Sequence, residues 1–290
     1  MAPWSSWKPA GPSPIKSVIC ASLIVLGATS VVCAAEPRRG PWGEPGSTLE
    51  MASRMDAESM SRLQAVGASV EETPDEKSFV VWHAPEGFDP KTGITLVTLH
   101  GHQSWAGKSV MVWADEVRAR GWAHLAVQWW YGRSAETHGY ARPADVYPWI
   151  VDALRRHGVE PGRVIFQGFS MGSAISYAVT FLDRQAPAPY FAVTIANSGS
   201  MAEDYLPNRP FLSGEAGAQP FAHTHWILYC SEHDQEQRQA CERMAWGAEQ
   251  LERLGGAVDL FIRDPQGPHG GFMSPANLDR SLDQAVSVIR

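Results

Sequence analysis

A single α/β domain built on a mostly parallel, doubly wound sheet with helices on both faces is what this 290-residue sequence predicts, and three observations carry the prediction. Short β-rich runs and helix-period stretches alternate from Phe79 to the end of the chain, a pattern that demands parallel strands joined by crossover helices. Gly168-Phe169-Ser170-Met171-Gly172 stands where one of those strands turns into a helix. A content of 44% hydrophobic and 10% aromatic residues is enough to fill one sizeable core.

In chain order, the first 35 residues differ from the rest. Lys8 and Lys16 precede the apolar run Val18 to Val32, and Cys33-Ala34-Ala35 supplies small residues before Glu36. That is the form of a secretory signal peptide, and the run is shorter than the roughly 20 residues needed to cross a bilayer. Val32 stands where a lipoprotein signal would carry a small residue, so lipid attachment at Cys33 is disfavoured. The expectation is an exported protein, secreted or periplasmic, that keeps no stable membrane partner once residues 1–35 are removed. Residues 36–77 read as a linker and an N-terminal helix, opened by Ser47-Thr48 with Glu50 and running to about Val66, with Met51, Met55, Leu63 and Val66 on one face.

Residues 78–290 form the main domain. Strands are expected at Phe79 to Trp82 and Ile94 to Leu99, a helix at about Ser109 to Arg120, a strand at Ala123 to Gln128 and a helix at about Ala144 to His157. Pro161-Gly162 opens the strand Val164 to Gln167, and Ser173 to Leu182 has helical spacing. Strands follow at Phe191 to Ala196, Trp226 to Cys230 and Val258 to Ile262, with helices from about Gln237 to Leu254 and Pro275 to Ile289. The long irregular stretch Ser198 to Thr224 is the expected cap or pocket wall.

A formal net charge of −7 with no basic run argues against a nucleic-acid partner and against an anionic membrane surface. Removal of the leader would take Cys20 and Cys33 with it and leave Cys230 and Cys241, paired or as two buried thiols. His100-x-His102 and His223-x-His225 each lack a third ligand, so no metal and no cofactor are expected.

The serine motif alone is weak in a chain with 26 glycines. Its setting strengthens it: strand before, helix after, His100-Gly101-His102-Gln103 upstream and Pro268-His269-Gly270 downstream. With these motifs in this order, residues 78 to 290 resemble the α/β-hydrolase family. The resemblance implies a catalytic domain with Ser170 as nucleophile in a sharp elbow, His269 as base and an acid that orients it. Asp234 matches the family's acid position after the strand Trp226 to Cys230, although Ser231 stands where relatives carry glycine; Glu232, Asp204 and Asp264 are its rivals. It also implies an oxyanion hole made by the backbone N–H groups of His102 and Met171. Trp105, Trp129, Trp130 and Tyr131 crowd the same rim as pocket candidates and favour an apolar or aromatic group.

The chain looks most similar to polyhydroxybutyrate depolymerase, feruloyl esterase and dienelactone hydrolase-type esterases, which implies hydrolysis of a small or polymeric carboxylic ester through an acyl-enzyme. Two alternatives stand beside it: a peptidase similar to the prolyl oligopeptidase group, and a non-catalytic binding protein that retains the fold. Oligomeric state is not readable from the sequence.

Overall fold

The computed structural model describes residues 47–289. The expected signal peptide, Cys20, Cys33 and most of the linker lie outside the described residues.

Ser47 opens the first helix, α1 (Thr48–Met55), through a capping box. Its Oγ accepts the Glu50 amide at 3.2 Å, and Glu50 Oε2 accepts the Ser47 amide at 2.9 Å. The single helix expected to reach Val66 is in fact two, because the chain breaks at Asp56 (φ −126°, ψ 38°) before α2 (Ala57–Ala65). The break lets each half turn its own short face inward. Ala52 and Leu63 are buried, whereas Met55, expected on the packed face, is 57% exposed beside the break.

Ser69–Glu72 forms a strand, β1, that periodicity did not reveal. It pairs antiparallel with β2 (Phe79–His83) and is pinned by Glu71, which binds His157 at 2.8 Å and Arg156. Residues 47–77 are thus built onto the main sheet and its core, through β1, Ala52 and Leu63.

The remaining elements follow the expected alternation: β3 (Thr95–Leu99), α3 (Ala106–Arg120), β4 (Ala123–Val127), α4 (Pro143–Arg156), β5 (Val164–Phe169), α5 (Met171–Gln185), β6 (Phe191–Asn197), the short α6 (Arg209–Leu212), β7 (His225–Ser231), α7 (Ala240–Arg253), β8 (Ala257–Asp264) and α8 (Pro275–Val288). The 8-stranded sheet has the order β1-β2-β4-β3-β5-β6-β7-β8. Pairings that involve β2 are antiparallel, and all pairings from β4 through β3 to β8 are parallel. Parallel strands must be covered on both faces, and β3 and β4 are accordingly buried along their whole length.

Successive strand residues alternate between two cores. Ile165, Ile195 and Ile227 pack with Trp113 and Val117 of α3 and Leu278 and Leu282 of α8. Phe166, Ala196 and Leu228 pack with Trp149 and Ile150 of α4, Ile175 and Tyr177 of α5 and Leu251 of α7. The segment 198–224 contributes Phe211, which packs against Phe181 and Phe221 with ring centroids 5.3 and 4.9 Å away. The carboxyl ends of the parallel strands all open on one edge, where crossover loops leave the sheet and a site can be assembled from several of them.

Candidate active site

At the end of β5 the chain turns into α5 through Ser170, which holds φ 53° and ψ −115°. A serine at positive φ is strained, and the surrounding backbone holds it there. A Cβ on Gly168 would drive into the Gly172 carbonyl, and one on Gly172 would lie 2.5 Å from the Leu99 carbonyl oxygen. Gly199, at the end of β6, completes the set: its missing Cβ makes room for the Ser170 carbonyl. The Ser170 amide donates to Asn197 O at 2.8 Å, tying the elbow to the neighbouring strand.

The loop after β3 passes close against this serine, since a Cβ on Gly101 would sit 3.3 Å from Ser170 Cβ. His100 is buried there as a neutral brace. Burial pushes its pKa down to about 4, Nδ1–H donates to Gly101 O at 2.9 Å, and Nε2 accepts from the Trp129 amide at 3.5 Å. Gln103 adopts φ 48° and spends its amide on Tyr140 Oη at 2.9 Å, while that hydroxyl donates to His102 Nδ1 at 2.8 Å. Burial raises the Tyr140 pKa to about 12, so it stays a donor. Among the described residues no hydrogen bond engages the His102 amide. Met171 opens α5, where the first-turn N–H groups lack intrahelical partners and the helix dipole favours an anion.

On the far side of the elbow, the loops after β7 and β8 meet. His269 Nδ1 lies 2.6 Å from Asp234 Oδ2, and the two side chains are 9% and 1% exposed. The other oxygen of Asp234 accepts the amides of Glu236 and Gln237, each at 2.9 Å, so one carboxylate fixes both the imidazole and its own turn. His269 Nε2 is buried without a hydrogen-bond partner, and Glu236 Oε2 approaches it to 3.6 Å. The Phe169 ring lies 5.2 Å from the imidazole and links the two halves of the site.

None of the rival acids contacts His269. Glu232 pairs with Arg263 at 2.7 Å, and Asp204 is exposed. Asp264 accepts from Gln266 and Gly267 amides at 3.0 and 2.7 Å, from Asn277 Nδ2 at 2.8 Å and from Tyr229 Oη at 3.1 Å. Burial alone would raise its pKa, but these donors outweigh that and hold it below the ordinary carboxylate range. Asp264 therefore builds the loop that carries His269 without touching the ring.

Ser198 is a second support that sequence reasoning missed. Held at φ 59°, it donates its hydroxyl to the His269 carbonyl at 2.6 Å, and its own backbone carbonyl accepts from Gln237 Nε2 at 2.5 Å. A non-glycine residue at positive φ leaves no local pattern, so only the fold reveals it. Cys230 in β7 and Cys241 in α7 face each other with geometry that suits a bridge, Cα atoms 5.2 Å apart, flanking the Asp234 loop. Among the described residues no group of three His, Cys, Asp or Glu side chains is placed to hold a metal, and no helix is long and apolar enough to cross a membrane. His225 spends Nδ1 on Asp259 at 2.9 Å.

Beside Met171 a narrow recess of about 20 Å³, room for a water-sized group, is bordered by Trp129, Tyr140, Ile175 and Tyr205. Of the four aromatic pocket candidates only Trp129 reaches it. Trp105 and Trp130 are 3% and 5% exposed and pack on each other, centroids 4.9 Å apart, and Tyr131 is buried as well. Their apolar area is used to close the core beside the loop after β3. Tyr140, Ile175 and Tyr205 take the wall instead, from elements whose convergence no spacing announces.

No protein-family model matches the sequence, and no curated protein does. Solved structures do match, 993 chains in all. A bacterial heroin esterase superposes with TM-score 0.58 at 16% identity, over 84% of this chain and 93% of its own. One of two fungal esterases from Rhizomucor miehei gives 0.57 at 14%, over 81% and 89%. A hyperthermophilic esterase from the archaeon Pyrobaculum calidifontis gives 0.57 at 12%, over 83% and 93%. Similarity at such low identity is similarity of fold: this chain has the α/β-hydrolase fold.

Proposed function

We propose that the protein is an exported serine hydrolase of carboxylic esters. One observation carries the reading: His269 has one ring nitrogen bound to a buried carboxylate and the other buried without a hydrogen-bond partner, and its ring lies 5.2 Å from that of Phe169, which precedes a serine held in a strained turn. Asp234 holds the proton of His269 on Nδ1, which leaves Nε2 as the acceptor. Ser170 Oγ attacks the ester carbonyl while its proton passes to Nε2, and the oxygen that gains charge is met by the His102 and Met171 amides. The C–O bond to the alcohol breaks as Nε2 returns the proton to the alcohol oxygen. Water then repeats the sequence on the acyl-enzyme and frees Ser170. The fold neighbours that are esterases support the bond type, and the narrow recess beside Met171 favours a short acyl chain.

Purified protein lacking residues 1–35 should hydrolyse p-nitrophenyl acetate and butyrate faster than the octanoate, a feruloyl ester or a polyester film. Faster cleavage of an aminoacyl anilide, or ester turnover no greater than that of Ser170→Ala, would overturn the reading. Export and the bridge are tested together: secreted protein should be cleaved after Ala35 and show no alkylatable thiol before reduction. Two alkylatable thiols would exclude the bridge.

A further inference from the structure

The face of His269 opposite Asp234 carries a second carboxylate. Glu236 Oε2 stands 3.6 Å from Nε2, its side chain 63% exposed, while Nε2 itself is buried and has no hydrogen-bond partner. Asp234 Oδ1 holds the Glu236 amide at 2.9 Å, so the residue that binds one side of the imidazole also delivers Glu236 to the other.

The other charged groups around this ring are already neutralised. Glu232 and Glu242 share Arg263 at 2.7 and 3.6 Å, and Asp264 is bound by Gln266, Gly267, Asn277 and Tyr229. The elbow contributes Phe169, Ser170 and Met171, none of them charged, and the oxyanion loop contributes His102, bound to Tyr140. Arg238 lies two residues on, but among the described residues the one titratable group within ion-pair distance of Glu236 is His269 at 3.6 Å, a neutral ring on the hydrolase reading. Its carboxylate therefore stands beside Nε2 without a cationic partner.

On the hydrolase reading, on which this inference rests, Nε2 hands its proton to the departing alcohol oxygen, so that oxygen must come within hydrogen-bond reach of Nε2. The alcohol's substituents then leave past Glu236. We propose that Glu236 is a specificity determinant that selects esters whose alcohol carries a cationic group within a few bonds of the ester oxygen and rejects anionic ones. Two unit charges about 4 Å apart in a water-exposed setting change a rate constant several-fold, and salt screens the effect.

The test uses three esters of one short acid, with the alcohols 2-(trimethylammonio)ethyl, its uncharged 3,3-dimethylbutyl isostere, and a carboxylate-bearing alcohol of similar size. Each kcat/KM is divided by that of the uncharged ester in the same protein, so any general change in activity cancels. In the wild type the ammonium ester should lead by about fivefold at low ionic strength and the anionic ester should trail by a similar factor, both ratios shrinking in 0.5 M salt. Glu236→Gln should bring both ratios close to one, and Glu236→Lys should invert them. Ratios near one in the wild type, or ratios that both variants leave in place, would overturn the proposal while the uncharged ester still reports a working hydrolase. A protein inert on all three esters would instead remove the hydrolase reading, and this proposal with it.

Discussion

The two sides of the site are held by different physics. On the elbow side, Ser170 is fixed by exclusion: Gly168, Gly172 and Gly199 leave no room for side chains, and backbone presses on backbone. On the histidine side, position is set by a chain of polar contacts that runs from Asp264 through Tyr229, Asn277 and the Gly267 amide, and from Ser198 to the His269 carbonyl. Steric fixation tolerates no added atom but ignores charge, whereas a polar network tolerates isosteric change but fails when a donor or acceptor is reversed.

The largest effect that would break this contrast belongs to the elbow. Gly172→Ala places a methyl group 2.5 Å from one backbone carbonyl oxygen and 2.6 Å from the next, at Leu99 and His100. It should cost at least about 3 kcal/mol and yield little folded protein, read by denaturant unfolding of whatever is recovered. Folded protein of wild-type stability would mean that the elbow relaxes easily and that the steric description is wrong.

On the other side, Asp234→Asn keeps the shape but favours the wrong imidazole tautomer, and kcat should fall by about 10⁴ with the fold intact. Asp264→Asn puts an NH₂ where Asp264 now accepts donors at one or both oxygens, so the His269 loop loosens; a loss of about 10- to 100-fold in kcat is expected, with a lowered Tm. The order matters. If Asp264→Asn proved the more crippled of the two, Asp264 rather than Asp234 would be the acid that orients His269.

That ranking also shows how far the sequence alone reaches. Strand and helix alternation, the elbow and the histidine loop are written in neighbouring residues, where periodicity and glycine spacing carry them. β1 is not, because Ser-Val-Glu-Glu has no apolar alternation and is held by Glu71 reaching His157 and Arg156 in α4. The Asp56 break, Ser198, Gly199 and the support role of Asp264 depend on partners brought together by the sheet. The aromatic run Trp129-Trp130-Tyr131 shows the opposite error: composition marks a pocket, and packing consumes most of it in the core.

A smaller effect sharpens the same contrast through pH. His100 braces the loop after β3 as a buried neutral ring, its folded pKa lowered from 6.5 to about 4 by burial, and buried His124 in β4 is lowered to about 3. The unfolded chain protonates these rings first, so stability should fall as pH drops from about 6.5 towards 4, by on the order of 2–3 kcal/mol for each ring. Asp264 is shifted in the same direction from a lower starting value: its lowered pKa adds stability that is present above about pH 4 and lost only below it. Tm measured from pH 7.5 to 3 should therefore decline in two stages, and a flat Tm between pH 7 and 5 would show that neither histidine is held neutral.

The central claim is that Ser170 is the activated nucleophile, and the most direct measurement is covalent. A fluorophosphonate incubated with the protein should add one label per chain, mapped by peptide mass spectrometry to the fragment containing Gly168-Phe169-Ser170-Met171-Gly172, and labelling should vanish in Ser170→Ala while that variant keeps the wild-type Tm. Label retained by Ser170→Ala, or mapped to another serine, would contradict it.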